Sequence, residues 1–129
     1  MATRSKMGNE IDALIAQIRS GEGTHPDPRR ALINIFNEGR DLAKLDAMLC
    51  DSDDLVVVDA AYILSEMVDC KTFHERALQA LKNREGEARY YALSALDMND
   101  PRTRPAIAQL LKDDDEHVRR KAAQLLESR

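Results

Sequence analysis

The sequence contains no tryptophan, and aromatic residues of all kinds make up only 4% of the chain. Glycine and proline are also scarce, with five and four copies in 129 residues. Sandwiches and barrels draw on aromatic and β-branched residues for their strands and on turn-forming residues for their hairpins. The composition therefore nearly excludes an all-β fold and favours a single helical domain.

Cysteine is limited to Cys50 and Cys70, which are too few to form a disulfide scaffold in a chain of this length. We expect both to be reduced, buried thiols, and a single bridge between them is the alternative. Long hydrophobic runs are absent too. No apolar stretch approaches the roughly 20 residues that cross a bilayer, and residues 1–18 lack the continuous hydrophobic segment of a secretory signal. We therefore expect a cytoplasmic protein that does not enter membranes.

Charge of one sign does not dominate, although 33% of the residues are charged. The chain has 19 Lys and Arg against 23 Asp and Glu, which gives a formal net charge of -4. A chain of this charge has no overall field that would gather polyanions. Nucleic acid is therefore not the expected partner, and its binding would need a local basic patch.

Apolar residues recur at helical spacing in eight short stripes, separated by acidic, glycine-bearing or proline-bearing breaks. Pro28 suits the first turn of the second helix, and Gly39 suits its end. The stripes predict eight helices of about 10 to 15 residues each. We place them in one domain over residues 9–129, preceded by a flexible segment over residues 1–8.

The helices also repeat in sequence. Residues 110–126 align with residues 80–96, which places Val118 opposite Ala88. Residues 48–64 are an earlier copy of the same unit. A period of about 30 residues that contains two helices is typical of an α-solenoid, in which neighbouring hairpins bury one another's apolar faces.

The last unit resembles a HEAT repeat, in the short form also seen in phycobilin-lyase-type proteins, through Asp115, Val118, Arg119, Ala122, Ala123 and Leu126. The resemblance covers residues 40–129 best, and Val58 departs from it where arginine is usual. It implies an all-α fold, an armadillo-like α-α superhelix of about four HEAT-like hairpins. It also implies that the protein is a binding surface or scaffold, as most such arrays are.

Motifs for catalysis or metal binding are weak. The acidic breaks at residues 51–54 and 113–116 lack the spacing and central glycine of a calcium loop, so we expect Asp53, and either Asp113 or Asp114, to cap the following helices. His74 lies near Cys70, but three or four converging zinc ligands are not apparent. We expect an exposed His74, no metal, no cofactor and no catalytic residue.

The resemblance places the second helix of each hairpin on the inner, concave surface. Six residues are expected to bind a partner protein there: Asp59, Glu66, Tyr90, Asp97, Arg120 and Glu127. Tyrosine and arginine are favoured interface anchors because they supply contact area and directional hydrogen bonds. Tyr62 and Tyr91 either join this surface or pack between the repeats.

The expected function is therefore non-catalytic protein binding. Size and acidity also resemble those of bacterial immunity proteins, which neutralise a cognate toxin, and an acidic edge suits a basic, nucleic-acid-cleaving toxin. One alternative is nucleic-acid binding through Arg119, Arg120 and Lys121. A second alternative is a phycobilin-lyase-like subunit that acts on a chromophore. The last helix is apolar on more than one side, which allows an end-to-end homodimer.

Overall fold

The computed structural model describes residues 2–21 and 27–127, and all regular secondary structure in those ranges is helical. The eight α-helices there are α1 (Ala2–Ser20), α2 (Pro28–Asn37), α3 (Leu42–Leu49), α4 (Asp54–Ser65), α5 (Cys70–Ala80), α6 (Gly86–Leu93), α7 (Thr103–Gln109) and α8 (Glu116–Glu127). A short 3-10 helix, Leu110–Lys112, extends α7. The prediction of an all-α solenoid is confirmed.

The helices form four hairpins, whose first helices are α1, α3, α5 and α7 and whose second helices are α2, α4, α6 and α8. Consecutive second helices are in extensive contact, most of all α4 with α6, and consecutive first helices touch much less. Cavities of about 310, 300 and 520 Å³ open between α1 and α3, α3 and α5, and α5 and α7. The second helices therefore lie on the inner side of the stack and the first helices on the outer side.

Small side chains allow the second helices to approach one another closely. Val57 and Ala61 of α4 and Ala88 of α6 are fully buried and form a cluster of their own. Ala92 of α6 and Ala122 of α8 are also fully buried, and these two helices are in contact. Because an alanine adds little bulk to the helix surface, these positions bring the two backbones together.

Aspartate side chains begin several of the helices. The Asp27 carboxylate accepts from the N–H of Arg29 at the start of α2, with Pro28 in the first turn as expected. The Asp53 carboxylate accepts from the N–H of Leu55 at the start of α4, so the predicted cap is confirmed. The other end of α2 leads to Gly39, whose φ of +79° suits glycine and confirms the predicted stop.

The predicted cap of α8 was wrong. Asp115 accepts from the N–H groups of His117 at 2.8 Å and Val118 at 3.4 Å, so the cap is neither Asp113 nor Asp114. The carboxylate of Asp113 is engaged elsewhere, because it accepts from Arg89 and from the N–H of Asp115.

Ion pairs join each hairpin to the next on the side where first helices turn into second helices. Arg19 binds Asp51 at 3.0 Å, and Arg84 binds Asp54 at 2.8 Å, both at exposed positions. Arg89 of α6 binds Asp113 at 2.8 Å, and there the side chains are only 12% and 7% exposed. Exposed pairs contribute little to stability, whereas a hydrogen-bonded buried pair is costly to break. Arg89 and Asp113 therefore form the strongest polar link between the third and fourth hairpins.

Cys50 is a free thiol at an exposed position, so the prediction that it is buried was wrong: it follows the last residue of α3, where the chain faces solvent. The backbone is helical from Ala2, whereas the repeat domain was expected to begin at residue 9. Flexibility of residues 1–8 stays a prediction. The predicted break between α1 and α2 includes residues 22–26, which lie outside the described residues.

Asp113→Asn is expected to lower the free energy of unfolding by about 1.5–3 kcal/mol at pH 7, because it leaves the Arg89 guanidinium without its buried anion. Burial raises the pKa of Asp113, but the hydrogen bonds from Arg89 and from the N–H of Asp115 outweigh it, so the pKa lies below its ordinary value. A carboxyl with a lowered pKa stabilises the fold above its unfolded-state pKa of about 4 and loses that contribution as the pH falls. The difference in the free energy of unfolding between the variant and the wild type should therefore become smaller at acidic pH.

Urea unfolding followed by circular dichroism at neutral and acidic pH measures this difference. Asp114→Asn is the matched control, since Asp114 also binds Arg89, at 3.0 Å, through a side chain that is 94% exposed. Its effect should be much smaller. Equal losses in the two variants would contradict the assignment of the link to Asp113.

Candidate protein-interaction surface

The three tyrosines of the chain form a row across the second helices. Tyr62 of α4 meets Tyr91 of α6 with ring centroids 5.5 Å apart, and Tyr91 meets Tyr90 at 5.6 Å. The rings are nearly perpendicular in both contacts, at 80° and 78°. Such edge-to-face pairs contribute about 0.5–1.5 kcal/mol beyond the area that they bury. This tyrosine row (Tyr62, Tyr91, Tyr90) is therefore held in place before any partner binds.

A cation lies over each end of the tyrosine row. The guanidinium of Arg29, on α2, is 4.6 Å from the centroid of Tyr62. The ammonium of Lys121, on α8, is 5.4 Å from the centroid of Tyr90. Both distances are within the range of cation–π attraction. The row and its two cations thus connect side chains of all four hairpins on the inner side of the stack.

Carboxylates border the tyrosine row. Asp59 of α4 lies 3.8 Å from the guanidinium of Arg29 through a side chain that is 28% exposed. Burial raises the pKa of Asp59, and the neighbouring charges of Asp27 and Glu87 raise it further, against the opposing effect of Arg29. Glu87 is exposed and makes no ion pair within the described part of the chain. Negative charge therefore exceeds positive charge between α4 and α6.

A pocket of about 240 Å³ opens between the N-terminal ends of α6 and α8. Its walls are Gly86, Glu87, Tyr90, Tyr91, Asp115 and His117. Pockets that hold cofactors or drug-sized molecules usually measure about 300–1,000 Å³. This α6–α8 pocket is therefore of a size for a single side chain.

The sequence-predicted binding residues divide into two groups. Asp59 and Tyr90 lie on the second helices, as expected, and both border the tyrosine row. Arg120, also on a second helix, is 64% exposed and pairs with Glu116 at 3.2 Å. Asp59 and Tyr90 thus border the tyrosine row, whereas the ion pair of Arg120 lies within its own helix.

The other three predicted residues lie where helices end. Helix α4 ends at Ser65, so Glu66 is its C-cap, and Glu127 is the last residue of α8. Helix α6 ends at Leu93, which places Asp97 in the following loop, where its carboxylate accepts from the N–H of Asn99. The expectation that all three continue the second helices was wrong for Asp97, because that helix is shorter than its apolar pattern suggests.

Sequence reasoning missed part of this surface. It left Tyr62 and Tyr91 open between a binding role and packing between repeats, and the structure shows that they contact one another across α4 and α6 while half-exposed. It assigned no role to Arg29 or Glu87. The signal for Arg29 was a basic residue on the second helix of one hairpin and an aromatic residue, Tyr62, on the second helix of the next.

His74 was expected to be exposed, and this was wrong, because its side chain is only 5% exposed. Its Nδ1 accepts from the N–H of Asp97 at 3.0 Å, and its Nε2 is 3.1 Å from the carboxylate of Asp100. Hydrogen bonds from Arg102 hold the pKa of Asp100 well below its ordinary value, so this carboxylate is charged. Helix α5 begins at Cys70, which puts His74 in its second turn, facing the loop after α6. The imidazole therefore fastens that loop to α5.

The three consecutive cations at the start of α8 are each engaged. Arg119 donates to the carbonyl oxygen of Asp113 at 2.6 Å, Arg120 binds Glu116, and Lys121 lies over Tyr90. Each of the three side chains therefore already has a partner within the chain, and that of Arg120 is a carboxylate. This arrangement does not resemble a continuous track for phosphate groups.

Comparison with known proteins gives one family. Residues 74–129, which include the third hairpin from His74 onward and the whole fourth hairpin, match the family model for HEAT repeats. No curated protein and no solved structure matches the chain. Within the described residues, no group of three His, Cys, Asp or Glu side chains is placed to hold a metal ion, and no helix is long and apolar enough to cross a membrane. HEAT repeats are generally protein-interaction scaffolds and are typically non-catalytic.

Gly86→Ala is expected to destabilise the protein by about 1–3 kcal/mol. A Cβ at this position would lie 2.2 Å from Oδ2 of Asp115, whose carboxylate is held by its cap hydrogen bonds. In an open helical position the same change would stabilise by up to about 1 kcal/mol, so the sign of the effect is diagnostic. Denaturant unfolding of both proteins gives that sign.

The matched experiment repeats the Gly86→Ala change in an Asp115→Gly background, since glycine is tolerated as an N-cap and leaves room for the new Cβ. There the change should be neutral or stabilising. The same loss in both backgrounds would show that Asp115 is not the cause.

Proposed function

We propose that this HEAT-like repeat protein binds a partner protein through the inner side of its second helices and has no catalytic activity of its own. The tyrosine row is the observation that carries the proposal. It presents three half-exposed rings in fixed positions on the surface where the hairpins come closest together. Charged side chains of both signs surround it, namely Arg29, Asp59, Glu87, Arg120 and Lys121.

Energetic considerations support this surface over the outer one. Tyrosine loses little conformational entropy on binding and offers both an apolar ring and a hydroxyl group. Rings that already pack edge-to-face need no rearrangement when a partner arrives, which lowers the cost of association. The outer side instead offers separate grooves lined by long polar side chains such as Gln79, Lys82 and Gln109. Of the predicted contact residues, Asp59, Tyr90 and Arg120 stay in the proposed interface, with Glu66, Asp97 and Glu127 at its edge.

A narrower proposal concerns the partner. A net charge of -4 would attract a basic protein at long range and speed its encounter. A bacterial immunity protein that neutralises a basic toxin in the cytoplasm has this property. The inner surface favours neither alternative function, because its α6–α8 pocket is too small for a tetrapyrrole and Arg119, Arg120 and Lys121 are engaged within the chain.

The test is differential capture from a lysate of the native host, with bound proteins quantified by mass spectrometry. Tyr90→Ala combined with Arg120→Ala should weaken binding of the specific partner at least tenfold, because anchor residues commonly contribute 2 kcal/mol or more. Glu87→Ala combined with Arg120→Ala alters exposed residues only, so it probes the same surface without affecting the core.

The matched control changes Gln79 and Gln109 to Ala, two exposed residues of the outer groove between α5 and α7. Capture should then equal that of the wild type. A partner that is lost with the outer-groove variant and kept with both inner variants would overturn the proposed interface.

We also propose an end-to-end homodimer through α8. Leu125 and Leu126 pack against the core yet stay half-exposed, as does Ala123, at the end of the stack. A second copy would cover this apolar end. Size-exclusion chromatography with light scattering should give twice the 14.5 kDa of one chain, and Ala123→Glu should return the mass to that of a monomer. A wild-type mass of one chain across the concentration range would disprove the dimer.

A further inference from the structure

We infer that the α6–α8 pocket binds an arginine side chain of the partner protein. The guanidinium would stack on the ring of Tyr91 and pair with the carboxylates of Glu87 and Asp115. This inference rests on the proposed function, because the pocket adjoins the tyrosine row on the same surface. It names the chemistry that the partner must present at one position.

Unbalanced charge is the first argument. Elsewhere, carboxylates that border the cavities of this fold have a cation of their own, as Asp12 has Lys44, Asp46 has Arg76 and Asp51 has Arg19. Glu87 has no such partner within the described part of the chain. The carboxylate of Asp115 is hydrogen-bonded only to backbone N–H groups there. Two carboxylates therefore face one pocket without an ion-pair partner.

The aromatic rings supply the second argument. Within the chain, a guanidinium already lies over Tyr62 and an ammonium over Tyr90. Tyr91, between them, contacts both rings but has no cation over its face in the described residues. Tyr91 also lines the α6–α8 pocket, so a cation that entered the pocket would meet the one ring of the row that has no cation of its own in the described residues.

The opposing effect is the helix dipole. The N-terminal ends of α6 and α8 carry a partial positive charge equivalent to about half an elementary charge each. Glu87, in the first turn of α6, and Asp115, at the cap of α8, place two full negative charges at the same ends. Lys121 contributes one positive charge next to Tyr90, on the side of α8. The two dipole ends and Lys121 together offset about two negative charges, so the attraction for a cation comes from the local carboxylate of Glu87, which is the exposed wall of the pocket.

Arginine fits this site better than lysine. Its planar guanidinium stacks on a ring and pairs with a carboxylate through parallel N–H groups at the same time, which a compact ammonium cannot do. The pocket volume of about 240 Å³ is below that of small-molecule sites, so a single side chain is the suitable occupant. A Cβ on Gly86 would lie 2.2 Å from Oδ2 of Asp115, so the Asp115 carboxylate packs directly against the backbone of Gly86 at the wall of the pocket.

The test uses two short peptides, acetyl-Gly-Arg-Gly-amide and the same peptide with citrulline, a neutral group of nearly the same shape. Titration is followed through the ring-proton resonances of the tyrosines by NMR. The arginine peptide should cause saturable shifts of the Tyr91 resonances, with citrulline at least tenfold weaker. Added salt should weaken the arginine peptide, because a charge pair at an accessible site is screened.

Glu87→Gln removes the unpaired charge from an exposed position and should weaken the arginine peptide to the level of citrulline. Glu10→Gln is the matched control, since Glu10 is an exposed carboxylate on α1, outside the proposed interface. It should leave the titration unchanged. No saturable shift, equal binding of the two peptides, or an unchanged titration with Glu87→Gln would each overturn the inference.

Failure of this inference is distinguishable from failure of the proposed function. If the inner-surface variants lose a captured partner while the arginine peptide does not bind, the proposed interface is supported and the arginine site is refuted. If the arginine peptide binds but partner capture depends only on the outer groove, the arginine site is supported and the proposed interface is refuted.

Discussion

The close contact between α4 and α6 is the constraint on which the rest of the structure depends. Val57, Ala61 and Ala88 are completely buried there, and no single hairpin could remove them from water alone. Small side chains let the two backbones approach, and larger residues at these positions would separate the helices. Because the second helices draw together on one side, the first helices spread apart on the other, where the three grooves open.

The same contact creates the candidate interaction surface. Tyr62 and Tyr91 belong to different hairpins, yet their rings meet because α4 and α6 lie side by side. Once these two rings are in place, Tyr90 extends the row towards α8, and Arg29 and Lys121 cover its ends. The surface is therefore a product of the packing between repeats. A change in the register of α6 against α4 would disperse it.

Polar links fix that register. The pairs of Arg19 with Asp51 and of Arg84 with Asp54 are exposed, so they add little to the free energy of folding, but each is satisfied only when neighbouring hairpins are correctly aligned. Arg89 and Asp113 repeat the arrangement with most of their surface buried. The charged residues, a third of the chain, thus include a set that aligns hairpins as well as a set that faces solvent.

The sequence by itself determined the features that depend on neighbours along the chain. Periodicity predicted eight helices, the repeat predicted the solenoid, and Asp53 and Gly39 were recognised because capping and helix termination depend on a few adjacent residues. Burial and pairing were decided only by the tertiary structure. His74 is buried because the loop after α6 covers it, Asp113 pairs with Arg89 of the third hairpin while Asp115 precedes α8, and the tyrosine row forms because two hairpins pack together. Each of these contacts joins residues far apart in sequence, and their positions depend on the angle and register between helices, which periodicity alone does not specify.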